Sequence, residues 1–193
     1  MTRIISGFAG SIPLKTPGAG TRPTSDRVRE AVFSALESRG IVDGARVLDL
    51  YAGSGALGLE AASRGASTVR LVEKSGAGAV ACRFNAAAVL KQAPVGSALR
   101  IDVSVRLVQS FLTSNPELWD LVFLDPPYDL GEDELESNLR FLASRLTADA
   151  TVCVERSSRS PEPRWPSGIE LERRSDYGDT TLWWAIGVMP PAE

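Results

Sequence analysis

From Gly44 onward the chain alternates short apolar runs with longer amphipathic ones, a rhythm that predicts βαβ units whose helices cover both faces of a mostly parallel sheet. Strands are expected at Arg46 to Leu50, Thr68 to Glu73, Leu121 to Asp125 and Thr151 to Glu155, with another, poorly bounded, between Leu99 and Val108. Helices are expected between them, at Ala56 to Arg64, Ser75 to Leu90, Val105 to Thr113 and Glu132 to Leu146. Ahead of this unit, Thr24, Ser25 and Asp26 offer N-caps, and Val28, Val32, Ala35 and Leu36 share a face, so a helix is predicted to about Arg39. Arg27, Arg29 and Glu30 fall on its other face. Met1 to Pro23 is rich in Gly, Pro, Ser and Thr, lacks periodicity and reads as an extended arm or hairpin, with Arg3-Ile4-Ile5 as a short strand. At the far end, Ile169 to Arg174 and Thr180 to Val188 flank the turn-like Asp176-Tyr177-Gly178-Asp179, which predicts a closing antiparallel hairpin. Trp183 and Trp184 are adjacent and so point to opposite faces of that last strand, one expected in the core and the other partly exposed.

A chain of 193 residues that is 44% hydrophobic suffices for one α/β domain. The expected division is an arm and helix over residues 1–40 and a catalytic domain over residues 41–193. The chain contains no histidine, which excludes Ser-His-Asp and Cys-His catalysis, His-ligated metal sites and the commonest general base. Cys82 and Cys153 lie far apart in apolar stretches, so they are expected as core residues, with no metal or redox motif. No apolar run approaches the roughly 18 residues that span a bilayer, and the N-terminus lacks a signal-peptide core, so a cytoplasmic protein without a membrane partner is expected. The net charge of −3 gives no global attraction to nucleic acid. A local basic patch exists in the first thirty residues, where Arg3, Lys15, Arg22, Arg27 and Arg29 stand against Asp26 and Glu30.

Three places carry candidate chemistry. The run from Val47 through Asp49, Leu50, Tyr51, Ala52, Gly53, Ser54, Gly55, Ala56, Leu57 and Gly58 is a strand entering a glycine turn and then a helix. Gly53 and Gly55 let the backbone turn sharply and approach a ligand, and Gly58 lets the helix pack close to the strand. Asp49 ahead of the turn would repel a pyrophosphate but attract the ammonium of a methionine moiety. Some twenty residues on, Glu73 closes the second strand, where a carboxylate can accept both ribose hydroxyls; Lys74 follows it. Together they imply an adenosine-containing cofactor.

The third place sets the reaction. Asp125-Pro126-Pro127-Tyr128 stands at the carboxyl end of a predicted strand, the edge at which open α/β sheets bind ligands. The two prolines end the strand's ladder and fix the backbone, so the Asp125 carboxylate and the Pro126 carbonyl become rigid acceptors for an NH₂ group. An exocyclic base amine is a poor nucleophile because its lone pair is delocalised. Accepting its hydrogens favours a pyramidal nitrogen that can attack a sulfonium methyl without an imidazole base. Tyr128 would stack on the flipped or unpaired base.

This tetrapeptide resembles that of the amino-group methyltransferases. The order Arg3-Ile-Ile-Ser-Gly, Thr21-Arg22-Pro23-Thr24-Ser25-Asp26-Arg27-Val28-Arg29-Glu30 and Asp49 to Glu60 is similar, over nearly the full length, to the bacterial small-subunit ribosomal RNA guanine-N2 methyltransferases. The resemblance implies a Rossmann-like class I methyltransferase fold with an N-terminal extension and S-adenosylmethionine as cofactor. It also implies a monomer acting on one guanine of ribosomal RNA in the small subunit or its assembly intermediate. By position it places Arg22, Thr24, Arg27 and Arg29 toward RNA, joined by Arg3 of the basic patch, and gives Asp125, Pro126, Pro127 and Tyr128 the guanine. In that family an Asp or Asn after the third or fourth strand accepts from the adenine amine; here a strand at Leu99 to Ile101 would give Asp102 that role. A strand at Val103 to Leu107 would leave Val108, Gln109 and Ser110, and both readings stay open. A DNA adenine or cytosine amino-methyltransferase shares the two motifs but needs a target-recognition domain for which the chain has no room. A non-catalytic RNA-binding or assembly factor on the same fold is the rival of another class.

Overall fold

The computed structural model describes residues 2–18 and 26–188. After helix α1 (Asp26–Ser38), strands and helices alternate: β1 (Arg46–Leu50), α2 (Ala56–Ser63), β2 (Thr68–Glu73), α3 (Gly76–Leu90), β3 (Arg100–Val105), α4 (Val108–Ser114), β4 (Trp119–Leu124), α5 (Glu132–Ala143) and β5 (Leu146–Ser157). The hairpin β6 (Ile169–Tyr177) and β7 (Thr180–Gly187) completes a seven-stranded sheet in the order β3-β2-β1-β4-β5-β7-β6. Strands β1 to β5 run parallel, and β7 pairs antiparallel with both β5 and β6. The expected α/β class, parallel core and closing hairpin are all present.

The alternation of side chains across the sheet divides the core in two. Val47, Val69, Leu71, Leu121, Phe123, Cys153 and Trp184 face α1, α2 and α3, while Leu48, Leu50, Val72, Val122, Leu124, Val152 and Trp183 face α4 and α5. Because both faces are covered, both tryptophans are buried, and the expectation that one would be partly exposed is overturned. Cys82 and Cys153 are free and buried, as expected. No helix among the described residues is long and apolar enough to cross a membrane.

The arm is a hairpin. Ile4 N–H donates to the Ile12 carbonyl and Leu14 N–H to the Thr2 carbonyl, around the bridge between Arg3 and Pro13. Ile4, Ala9 and Leu14 are buried in the same core as α1 and α2. The fully buried Glu60 of α2 accepts from the N–H groups of Ile5 (2.7 Å) and Ser6 (3.0 Å), and Ser63 Oγ accepts from Ala9 N–H and donates to the Ser6 carbonyl. At Gly7 (φ 81°) a Cβ would fall 1.9 Å from the Ser63 carbonyl oxygen, so only glycine lets the arm lie this close to α2. The arm thus rests on the helix that leaves the glycine turn.

Candidate active site

The sheet order reverses between β1 and β4, and a crevice opens where the carboxyl ends of such neighbouring strands diverge into separate loops. The glycine turn leaves β1 and the Asp-Pro-Pro-Tyr segment leaves β4, side by side: Asp125 N–H reaches the Leu50 carbonyl at 3.5 Å. In register, Leu50 pairs with Val72 on one side and Leu124 on the other, so Glu73 and Asp125 flank Tyr51 at one level and Asp49 lies one pleat deeper. Alternation directs Asp49, Glu73 and Asp125 toward the face covered by α1, α2 and α3.

Asp49 is fully buried. Its Oδ2 accepts from Gly58 N–H at 2.8 Å, fastening the first turn of α2, while its Oδ1 is buried without a hydrogen-bond partner among the described residues. Burial, with the nearby charges of Asp125 and Glu73, pushes its carboxyl up to about 7, although the Gly58 N–H opposes this. A Cβ on Gly58 would meet Leu71 at 2.5 Å and Asp49 Cβ at 3.1 Å, so the glycine is required by the packing of α2 on the sheet. Leu57 is buried in the core rather than offered at the loop surface, and Ala52 is buried beside it.

The turn itself is held from three sides. Tyr51 adopts φ 63°, unusual for a residue with a side chain, and its hydroxyl accepts from Asn138 Nδ2 of α5 at 2.7 Å. Glu73 accepts from Gly53 N–H (2.9 Å) and Ser75 N–H (2.7 Å), so the carboxylate expected to meet a ribose also holds the turn. Each carboxylate oxygen has a further lone pair to offer. From α3, Cys82 Sγ donates to the Gly53 carbonyl and Asn85 Nδ2 to the Ser54 carbonyl. Above Gly53 (φ 57°), among the described residues, a Cβ would have only the Tyr51 carbonyl within 4 Å, at 3.9 Å, so they leave the turn open there. Lys74 is exposed at the rim.

The Asp-Pro-Pro-Tyr segment is presented differently. Pro126 is buried, Asp125 is half-buried, and Pro127 and Tyr128 are exposed, Tyr128 to 62%. Behind the segment, the buried Arg156 of β5 donates from Nη2 to the Leu130 carbonyl (3.1 Å) and to Glu132 Oε1 (2.5 Å).

One open reading is narrowed and one expectation changes. Strand β3 spans Arg100–Val105, and Val105 pairs with Glu73 at the ligand edge, whereas Asp102 pairs with Arg70 three residues earlier and makes a 3.6 Å ion pair with it. Asp102 therefore does not reach the edge; the chain leaves it through Arg106 and Leu107 before α4 starts at Val108. Arg29, expected to face RNA, is fully buried: its Nη2 donates to the Arg3 carbonyl and to Asp26 Oδ1, both at 2.7 Å, because the arm lies over that side of α1. Arg3 and Arg27 are exposed, while Arg22 and Thr24 lie outside the described residues. The contacts of Gly78, Asn85, Asn138 and Arg156 were not anticipated. Both asparagines sit on otherwise apolar helical stripes, Asn85 between Cys82 and Val89 and Asn138 beside Leu135 and Leu142, and a polar residue on a buried stripe was the available signal.

The donor set fits a cation. The charges that act on Asp49 in this crevice are carboxylates, one of its oxygens is unpaired, and the turn is open above Gly53. A pyrophosphate would be repelled by the same groups. Among the described residues no group of three or more Cys, Asp or Glu is placed to hold a metal ion.

Known proteins match this arrangement over most of the chain. Ribosomal RNA small subunit methyltransferase D of Escherichia coli is 34% identical over 177 residues, covering 91% of this chain and 85% of the relative. The solved yhhF structure from Escherichia coli superposes with a TM-score of 0.81 at 33% identity, covering 96% of this chain and 97% of that one. At 16% identity, the magnesium protoporphyrin IX methyltransferase of Synechocystis, solved with bound SAM, shares the fold alone, with a TM-score of 0.64 over 88% of this chain and 86% of that one. The architecture is thus the Rossmann-like methyltransferase fold. The family model described as "Conserved hypothetical protein 95" matches residues 2–186, and the chain belongs to that family.

Proposed function

We propose that the protein transfers a methyl group from S-adenosylmethionine to the exocyclic N2 amine of one guanine in small-subunit ribosomal RNA. The observation that carries this reading is the adjacency of the two loops: the Asp125 main chain bonds to the end of β1, which sets a rigid acceptor segment against a glycine turn suited to a cationic adenosine cofactor. The relative from Escherichia coli, named as a ribosomal RNA small subunit methyltransferase, supports the substrate class.

When bound, S-adenosylmethionine supplies an electrophilic methyl on a sulfonium. The Gly53 to Gly55 turn receives the methionine part, and Glu73 accepts from the ribose hydroxyls while keeping Gly53 in place. Asp49 favours a positive charge above it and braces α2 through Gly58. The Asp125 carboxylate and the Pro126 carbonyl accept the two amine hydrogens, which localises the nitrogen lone pair for in-line attack. The proton released from the amine passes by way of Asp125 to water. Tyr128, exposed beside them, stacks on the base. Residues 1–40 form the RNA-facing extension, with Arg3 and Arg27 as phosphate contacts and Arg22 and Thr24 assigned by resemblance.

Mass mapping of ribosomal RNA from a strain lacking the gene, against its parent, tests the reading. One N2-methylguanine is expected to disappear from small-subunit RNA and to return when the purified protein acts on deficient subunits. An RNA modification pattern identical to the parent's rejects it.

A further inference from the structure

Asn85 lies on the inward face of α3, fully buried, with its amide group satisfied on both sides. Oδ1 accepts from Lys15 N–H at 2.9 Å. Nδ2 donates one hydrogen to the Lys15 carbonyl at 2.9 Å and the other to the Ser54 carbonyl at 2.8 Å. Lys15 belongs to the arm and Ser54 to the glycine turn, so one planar group bridges two segments that are distant in sequence. Cys82, one turn earlier on α3, also holds the turn through Gly53, and the Phe84 ring meets the Lys15 ammonium, but among the described residues Asn85 alone joins turn and arm through one group.

An amide is planar, so both Nδ2 hydrogens are aimed at once. The amide can serve Lys15 and Ser54 together only when arm and turn are both in place. If the arm lifts, Asn85 loses two partners in a water-poor setting, the plane is free to rotate, and the Ser54 carbonyl loses its fixed donor. A ligand that holds the turn fixes the plane in advance, so the arm then docks with less ordering left to do. Linkage makes the effect reciprocal.

We infer that Asn85 is a positioning residue that couples the N-terminal arm to the cofactor turn, so that filling the turn tightens the arm. The inference rests on the proposed function, because it takes the turn to be the S-adenosylmethionine site.

The test is hydrogen exchange on the full chain, with S-adenosylhomocysteine as the probe and calorimetry for its affinity. In the parent protein, saturation is expected to slow exchange at Ile12, Leu14 and Lys15 by about tenfold, within the usual range of coupling between sites. Asn85→Asp keeps the side-chain volume but sets acceptor oxygens against two carbonyls. It is expected to bind the probe about tenfold more weakly and to leave Ile12, Leu14 and Lys15 exchanging equally fast with and without it. Lys15→Pro removes the arm's N–H, together with the Lys15 ammonium 3.5 Å from the Phe84 ring centroid, and changes no residue of α3, so it keeps the test decisive if Asn85→Asp fails to fold. The same loss of ligand-dependent protection is expected at Ile12 and Leu14. A merely structural Asn85 would speed exchange throughout α3 in both states and leave the ratio between free and bound arm unchanged. Probe binding without added arm protection in the parent protein, or parental protection in either variant, overturns the coupling alone. Absence of probe binding to the parent protein overturns the proposed function together with it.

Discussion

Two loops meet at one edge of the sheet and are built on opposite terms. The turn after β1 is locked: Glu73, Asn85, Cys82 and Tyr51 each hold its backbone or brace it against a helix, and Asp49 fixes the helix that follows. The segment after β4 is stiffened by its prolines and open at its far end, with Pro127 and Tyr128 exposed and Arg156 steadying the chain further on. On the proposed function, the contrast follows from the size of the two ligands. A small cofactor can be enclosed, which rewards a preformed cradle, whereas a base carried on a large RNA must be reached from outside.

If the two loops divide the work in this way, changes in each will separate affinity from turnover. The largest expected effect is that of Asp125→Ala, with kcat falling about 10²–10³-fold, as when one preorganised group at a reacting centre is removed. Affinity for S-adenosylhomocysteine, read by calorimetry, should barely change, and Asp125→Asn, which keeps an acceptor oxygen, should lose less. Comparable loss of turnover and cofactor affinity would erase the division. In the locked turn, Glu73→Ala is expected to weaken S-adenosylhomocysteine binding by about 100-fold, because a charged acceptor is withdrawn from Gly53 and Ser75 at up to about 3 kcal/mol. Gly78→Ala tests the same support, since its Cβ would lie 2.7 Å from Glu73 Cγ and push the carboxylate aside. On the exposed side, Tyr128→Ala should raise KM for RNA by about 30-fold, a stack of about 2 kcal/mol, with Tyr128→Phe restoring most of it. Single-turnover and binding assays on deficient small subunits read both.

The locked turn was the harder of the two to read in advance, although its motif is plain. Asp49, Gly53, Gly55, Gly58 and Glu73 were legible because strand, turn and helix signals follow one another there, and the sheet could be assembled from the same alternation. The grip of Asn85 and Asn138 was not legible, because their partners, Lys15 with Ser54 and Tyr51, are distant in sequence. Arg29 misled through its charge, not its spacing: it stands three residues before Val32 and seven before Leu36, on the inward face of α1, where the Arg3 carbonyl of the arm and Asp26 receive its guanidinium. For Asp102, the sequence allowed a strand that ended before it or one that began after it, and the observed strand runs through it, paired with Arg70. The Asp-Pro-Pro-Tyr segment was the more legible, because the geometry that its prolines impose is local.

The smallest expected effect reaches deepest into the locked turn. Asp49 has its carboxyl pushed up to about 7 by burial, reinforced by the facing Asp125 and Glu73, against 3.8 for the free group. The native state therefore holds a proton that the unfolded chain releases, and the stability of the free protein must fall as pH rises from about 4 to about 7. Asp49→Asn should remove that slope in denaturant unfolding and leave the free protein more stable at pH 8. The cofactor acts in the other direction, because a sulfonium and an ammonium favour the ionised carboxylate, so its affinity should climb between pH 6 and pH 8 by about tenfold, the change in ionised fraction of a group titrating near 7. A flat affinity profile in the parent protein, or the same climb retained in Asp49→Asn, would mean that the buried carboxylate only braces Gly58 and that the turn is locked for packing rather than for a positive charge.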